Sequence, residues 1–448
     1  MNKQRYSNMF KAKISRLSPP QILALSFFSA LLIGTGLLKL PISSTTSVSW
    51  VDAMFTATSA ITVTGLTVVD IGRVYTTFGH VVMMCLMQLG GLGIMTFAVL
   101  FIIMLGKRVG LHERILIQEA FNQNSLGGLV KLVKIVFLLT ITIEAIAFII
   151  LSARWIPEYG WTEGMFQSLF HTISAFNNSG FSLWSDNLSA YVGDPIVNLV
   201  ITGLLIIGGI GFTVLIDVGV KKRFRTLAIH SKLMIVGTFI LITFGFLLFL
   251  VLEYTNPDSL GPLTLSEKLW AAYFQAVTPR TAGFNTIDIA SLTTPSILLI
   301  TFLMFIGAGS ASTGGGIKVT TFLVMILATI SFLTGKNQIV VFNRTIKQQT
   351  IFKGLAIIMV SILFIFLAVF VLTITEKASF LTIVFEVISA FGTVGLSLNF
   401  TGELTLTGKF IIMAMMFIGR VGPLTLAFIL AKQNKTPIRY PEEDVFTG

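Results

Sequence analysis

Four short stretches of this chain are versions of one another: TSAITVTGLTV (58–68), ISAFNNSGFSL (173–183), AVTPRTAGFNT (276–286) and ISAFGTVGLSL (388–398). The eighth residue of each is glycine: Gly65, Gly180, Gly283 and Gly395. The ninth is large and apolar: Leu66, Phe181, Phe284 and Leu396. Successive glycines are 115, 103 and 112 residues apart. Self-similarity at a near-constant period marks a repeated architecture.

The repeated unit is a membrane unit. The chain is 54% hydrophobic and only 11% charged, whereas soluble domains carry ~25% charged residues. Apolar runs near the ~20 residues that cross a bilayer recur at Ile22–Leu38, Val81–Leu105, Leu132–Leu151, Ile196–Ile216, Leu233–Leu252 and Ile411–Leu430. The first follows a basic N-terminus without a small-x-small cleavage site, so it reads as a transmembrane helix and not a signal peptide. Before each motif comes a full crossing, a loop and a short segment: Trp50–Ile61, Thr162–Phe176, Ser266–Val277 and Phe380–Phe391. A dozen residues at ~1.5 Å rise reach about 18 Å, half a bilayer. After each motif comes a second crossing with glycines in it: QLGGLG (88–93), IGGIG (207–211), FIGAGS (305–310) and FIGRVG (417–422). These glycines serve either close helix packing or function.

The fold expected is an all-α polytopic membrane protein. Each of four units reads helix, re-entrant half-helix, loop, helix, giving eight crossings about a pseudo-four-fold axis. The units are 1–125, 126–229, 230–349 and 350–448. Charge sets the orientation. Of the 31 Lys and Arg, 22 fall in the N-terminal segment, 106–134, 221–232, 336–353 and the tail, which places these inside, with both termini cytoplasmic. The net charge of +11 is thereby a matter of topology and not of nucleic-acid binding. The single cysteine, Cys85, reads as packing.

Non-helical backbone at membrane depth is tolerated where it is buried in protein or lines a water-filled cavity. Four such loops around one axis make a pore whose carbonyls replace a cation's hydration shell. The candidate lining is Thr62, Val63, Thr64 and Gly65; Asn177, Asn178, Ser179 and Gly180; Arg280, Thr281, Ala282 and Gly283; and Gly392, Thr393, Val394 and Gly395. Each half-helix turns the negative end of its dipole toward them.

These motifs, TVTGL, NNSGF, RTAGF and GTVGL, resemble those of the Trk/Ktr/HKT superfamily of K⁺ transporters over nearly the whole chain. The chain most resembles the KtrB/KtrD-type membrane subunit of bacterial Ktr systems. The resemblance implies a K⁺ filter at the four glycines. It also implies a homodimer docked on a cytoplasmic nucleotide-binding ring of the KtrA/KtrC type, with any nucleotide on that partner and no cofactor in this chain. A glycine in all four loops implies K⁺ preference. Only one glycine is common to the four loops, which departs from the TVGYG of K⁺ channels. Arg280 breaks the equivalence further, supporting its loop from behind or weakening cation binding.

The third unit is anomalous. From Ile297 to Leu333 it runs 37 residues, with GAGSASTGGGIK (307–318) in the middle. Gly309, Ser310, Ser312, Thr313, Gly314, Gly315 and Gly316 hold a regular helix poorly, and flexible backbone just below the filter, with Ala311 in its middle, suits a movable barrier. The resemblance implies the same gating role. Lys318 closes the stretch, near enough to the inner face to meet solvent. Arg420, inside the last crossing, is a costly intramembrane charge and is expected to pair with this loop or with a structural partner. Glu144 either pairs or coordinates a cation. His171 is expected to make a packing hydrogen bond, and Asp217 to lie near the inner face. Gly314–Ile317 lacks the Lys-Ser/Thr of a phosphate-binding loop, and four scattered histidines offer a membrane-embedded hydrolase no catalytic constellation. The reading is a K⁺-uptake subunit of a bacterial plasma membrane, the alternative a Na⁺-coupled or weakly selective Na⁺/K⁺ transporter.

Overall fold

The computed structural model describes residues 19–104, 115, 118, 128–336, 338–423 and 443. The basic N-terminal segment, most of 106–127 and nearly all of the tail, which the charge pattern places inside, lie outside them. Among the described residues the regular secondary structure is helical apart from one small hairpin, Val340–Val341 with Arg344–Thr345.

Four long helices organise the molecule: α1 (Pro19–Leu38), α5 (Leu129–Tyr159), α9 (Ile229–Glu253) and α13 (Gln348–Thr375). Each is apolar and long enough to cross a membrane. Each is followed by a shorter helix that is mostly buried: α2 (Trp50–Thr62), α6 (Trp161–Phe176), α10 (Leu265–Val277) and α14 (Phe380–Gly392). These bounds lie within one residue of the short segments read from the sequence. Side chains start three of them. Ser49 accepts from the Asp52 amide, Ser379 from the Thr382 amide, and Thr264 and Glu267 form a reciprocal capping box, which satisfies otherwise orphaned first-turn amides.

The second members of the units are not the continuous crossings that hydropathy predicts. α3 (Thr77–Leu92) is separated from α4 (Ile94–Met104) by Gly93 at φ +84°. α7 (Pro195–Ile210) gives way at Gly211, φ +102°, to α8 (Phe212–Lys221), which leaves it at 94°. α11 (Thr294–Phe305) and α12 (Val319–Leu333) are parted by residues 306–318. α15 (Leu406–Val421) ends at Gly422, φ +97°. Left-handed backbone ends a right-handed helix, and glycine adopts it without a Cβ clash.

Polar ties hold long and broken helices together at the end where the half-helices start. Buried Glu253, closing α9, accepts from the amide (2.9 Å) and hydroxyl (2.5 Å) of Thr293 at the head of α11. Glu376 does the same for Thr405 ahead of α15. Arg154 of α5 pairs with Asp194, the N-cap of α7, at 2.6 Å. Lys409 of α15 pairs with Asp52 of α2 at 2.7 Å, joining the last unit to the first.

The helices then touch through glycine. A Cβ on Gly90, Gly208 or Gly419 would stand 2.0, 2.0 or 1.9 Å from the carbonyl oxygen of Ile61, Phe176 or Phe391. Each of those carbonyls belongs to the last turn of the same unit's half-helix or its final residue. Close approach, and not flexibility, is what these three glycines provide. On the same helix as Gly208, a Cβ on Gly203 meets nothing within 4 Å. We therefore expect Gly208→Ala to destabilise by about 1–3 kcal/mol, the usual cost of overpacking, and Gly203→Ala to be neutral or mildly stabilising. Unfolding temperatures of the two variants in one detergent check this; equal shifts would refute the close-contact reading.

Candidate functional site

The half-helices α2, α6, α10 and α14 end in loops of one backbone design. The residue two before each aligned glycine is left-handed: Val63 (φ +52°), Asn178 (+57°), Thr281 (+64°) and Thr393 (+50°). The glycines are left-handed too: Gly65 (+92°), Gly180 (+71°), Gly283 (+76°) and Gly395 (+94°). Asparagine tolerates this region, but Val and Thr occupy it at a cost. The loops hold it through bonds to the half-helix end. The amides of Thr64, Ser179 and Val394 reach back to the carbonyls of Ser59, Ser174 and Ser389 at 2.8–2.9 Å. The hydroxyls of Ser59 and Ser389 accept from the amides of Gly65 (3.0 Å) and Gly395 (3.2 Å). Ser174 donates to the Phe181 carbonyl at 2.8 Å, and Thr278 to that of Phe284.

The four loops meet. A Cβ on Gly65 would strike Ser179 O and the Gly180 backbone; on Gly180, Ala282 O and Gly283; on Gly283, Val394 O, Gly180 and Gly395; on Gly395, Thr64 O and Gly65. The contacts run from the first unit through the fourth and back to the first. The carbonyl oxygen preceding each glycine stands beside the glycine of a neighbouring loop. Above this ring opens a cavity of about 580 Å³ whose wall carries Asp70, Asp186 and Asp288 with the ring glycines.

On the other side lies the 306–318 segment. Its ends pair as a parallel bridge between Ile306 and Ile317. Thr313 donates to Asn178 Oδ1 at 3.0 Å, and the Gly315 amide to Thr393 Oγ1 at 3.0 Å. A Cβ on Gly314 would lie 2.1 Å from Thr281 Oγ1. The segment is thus pressed against the second, third and fourth loops. Backbone bonds join Gly309 to Gly209, Thr313 to Gly208 and Gly316 to Gly419. Ser312 closes a local turn on Gly309 O at 2.7 Å, Ser310 stands 3.4 Å from Thr320, and Ala311 is left-handed at φ +53°.

Two cations hold it. Arg420 donates to the carbonyls of Thr313, Gly90 and Gly91, bridging the segment to the first unit. Lys318 does not meet solvent alone: its ammonium donates to Gly314 O at 2.8 Å and Gly315 O at 3.3 Å. The chain folds back after Gly316, and this brings the ammonium over its own loop.

Arg280 faces away from the ring. It is buried and donates to Thr238 Oγ1 of α9 at 3.1 Å. Thr62 caps inward on Thr58 O and Thr64 Oγ1. Asn177 donates to Gln88 at 2.6 Å, and Gln88 to Glu144 at 3.1 Å, which links α5 to the second loop through α3. Gly392 packs toward Met304 O. His171 bonds Gln167 O and Ser182 and stacks on Trp184 at 4.2 Å. Asp217 bonds Lys221, Ser231 and the Ala228 amide. Cys85 is exposed on α3 rather than packed.

One residue of consequence was not singled out from the sequence. Glu386, fully buried in α14, accepts from Ser397 (2.8 Å) and Thr401 (2.5 Å), both on the cavity wall just beyond Gly395. A carboxylate inside a thirteen-residue apolar half-helix was the available signal, since intramembrane charge is functional by default.

Broken helices, inward half-helices and a loop ring define a membrane cation transport protein, and the chain belongs to that family. The family model described as cation transport protein (TrkH) matches residues 4–437. The chain is 58% identical to Ktr system potassium uptake protein B of Bacillus subtilis (strain 168), over 97% of each chain. It is 49% identical to the protein of the same name from Vibrio alginolyticus, over 96% of this chain and 95% of that one. It is 38% identical to potassium/sodium uptake protein NtpJ of Enterococcus hirae, over 98% and 99%. The crystal structure of the potassium transporter TrkH from Vibrio parahaemolyticus matches with TM-score 0.74 over 93% of this chain and 86% of that one; at 21% identity this shows a shared fold. The chain is a KtrB-type membrane subunit, of a transporter family and not of an enzyme.

Removing the Glu386 carboxylate leaves the buried Thr401 hydroxyl and the half-buried Ser397 hydroxyl without their acceptor. Glu386→Ala is expected to cost about 1–3 kcal/mol, and Glu386→Gln, which keeps one acceptor oxygen, less. Thermal unfolding of both variants orders them; the reverse order would mean that the hydroxyls do not depend on the carboxylate.

Proposed function

We propose that this chain conducts K⁺ into the cell as the membrane subunit of a Ktr-type uptake system. The observation that carries the reading is the closed circuit of Gly65, Gly180, Gly283 and Gly395, each beside the carbonyl that precedes its neighbour. Backbone that is left-handed at two positions and not at the residue between turns successive carbonyls toward one side. Such oxygens replace the waters of a dehydrated cation. Four half-helices end at the ring, and each brings a partial negative charge of about half a unit. Asp70, Asp186 and Asp288 on the cavity wall raise the local cation concentration.

The four units, 1–125, 126–229, 230–349 and 350–448, surround this axis as pseudo-equivalent repeats. Residues 309–316 are the gate, held shut by Arg420 and Lys318. Two positive charges held against a loop directly below a cation site add an electrostatic barrier to the steric one. The outer cavity faces out and both termini lie in the cytoplasm. The membrane potential, worth about 2.3 kcal/mol per charge per 100 mV, drives entry. Two copies sit on a cytoplasmic nucleotide-binding ring, which carries the nucleotide. The relative named as a potassium/sodium uptake protein keeps a Na⁺-coupled reading in view.

The test is cation flux into proteoliposomes holding this chain, with K⁺ and Na⁺ gradients imposed separately. K⁺ entry without Na⁺ supports conduction; K⁺ entry only with Na⁺ establishes coupling instead. A Cβ at Gly395 falls 2.1 Å from Thr64 O, so Gly395→Ser should cut the K⁺/Na⁺ flux ratio by roughly an order of magnitude. Arg420→Gln frees the Thr313, Gly90 and Gly91 carbonyls and should raise K⁺ flux several-fold. Unchanged flux in that variant would rule out the latch.

A further inference from the structure

Helix α8 has no part in the pathway itself, yet its position is unusual. α9, at 25 residues and ~1.5 Å per residue, spans about 37 Å and so crosses the ~30 Å hydrocarbon core with its first turn at a membrane surface. Asp217 of α8 accepts from the Ala228 amide (2.8 Å) and the Ser231 hydroxyl (2.7 Å) at that first turn. α8, bent 94° from α7, is thereby pinned across the interface instead of continuing through it.

The two ends of α8 differ. Phe212 and Val214 are buried, whereas the last turn and the segment that follows it, residues 218–226, are all exposed. That exposed run interleaves Val218 (40%), Val220 (75%) and Phe224 (45%) with Lys221, Lys222, Arg223 and Arg225. Lys221 is engaged with Asp217 at 2.7 Å. Among the described residues, Lys222, Arg223 and Arg225 have no acidic partner. Buried Lys232 braces this run, donating to Arg225 O at 2.8 Å and lying over the rings of Phe224 and Phe342. Basic residues alternating with exposed apolar ones on the end of an interfacial helix and the turn that follows it are complementary to anionic headgroups above an acyl surface. A soluble acidic partner would leave Val218 and Val220 without a use.

The buried end reaches the gate. The Phe212 amide donates to Ala311 O at 2.8 Å, and a Cβ on Gly211 would lie 2.5 Å from Ser310 O. We infer that residues 218–225 dock on anionic phospholipid headgroups of the adjoining leaflet, and that this docking holds α8 against the 306–318 segment and favours its closed position. The second half rests on the gate reading above; the first does not.

The experiment uses the full chain in detergent with dioleoylphosphatidylglycerol or dioleoylphosphatidylcholine added at equal mole fraction. The glycerol lipid should raise the unfolding temperature above the choline lipid. Lys222→Gln/Arg223→Gln/Arg225→Gln should lose most of that difference, and the charge-keeping Lys222→Arg/Arg223→Lys/Arg225→Lys should retain it. A neutralised variant with the full increment overturns the docking. In phosphatidylcholine liposomes, a rising phosphatidylglycerol fraction should lower Rb⁺ flux about threefold for the native chain and leave the neutralised variant flat. Lost lipid stabilisation with unchanged lipid dependence of flux overturns the coupling to the loop. Failure of the gate reading shows separately, as an Arg420→Gln variant with native flux. A neutralised variant that keeps its lipid response but no longer responds to a cytoplasmic partner assigns the surface to protein and overturns the proposal.

Discussion

The structure depends on one constraint: backbone that leaves a helix at membrane depth must find partners for its polar groups. Each half-helix supplies them at its own end. Ser59, Ser174 and Ser389 receive the returning amides, and Ser59 and Ser389 also hold the ring glycines by their hydroxyls. With those bonds in place, Val63 and Thr393 can remain in a left-handed conformation that costs such residues ~1–3 kcal/mol each. The burial of the half-helices follows, since a support that moved would release the loops. The glycines of α3, α7 and α15 follow in turn, because only a residue without Cβ lets a second helix lie on the terminal carbonyls of the support.

The sequence carried part of this plainly. The ring glycines were legible because a shared residue type recurs at a shared position, and the half-helices because segments of twelve to fifteen residues cannot span a bilayer. The left-handed residues two positions earlier were not legible. Val63, Asn178, Thr281 and Thr393 have no residue type in common, and their conformation is imposed by the fold around them. Hydropathy also runs unbroken through Gly93 and Gly211, so the breaks there looked like continuous crossings. Lys318 seemed free to face solvent because sequence distance from the membrane edge says nothing about a chain that turns back on itself after Gly316. Glu386 was hidden by its surroundings: one carboxylate in an otherwise apolar half-helix, with its partners eleven and fifteen residues further on.

The four loops are alike where they meet and unlike behind. Nine residues before the ring glycine stand Thr56, His171, Phe274 and Glu386. Thr56 accepts from Tyr75 at 3.3 Å, His171 contacts Ser182 and Glu386 holds Ser397, while the third unit has an aromatic ring there. That same unit has Arg280 turned toward α9 and carries the inserted 306–318 segment. Divergence is concentrated in the unit whose second helix is interrupted by the longest break.

The pair between Lys409 and Asp52 joins positions 357 residues apart, and Gly395 seats against Gly65 at the same seam. A chain emerging from the ribosome therefore carries its first three loops into the bilayer before the last can reach them. Until the fourth unit inserts, the first loop has one open flank, with polar backbone facing lipid or water. Assembly of the ring is in this sense a terminal event, and a chain arrested before residue 395 is a different object from a shortened transporter: three supports around an unfinished hole.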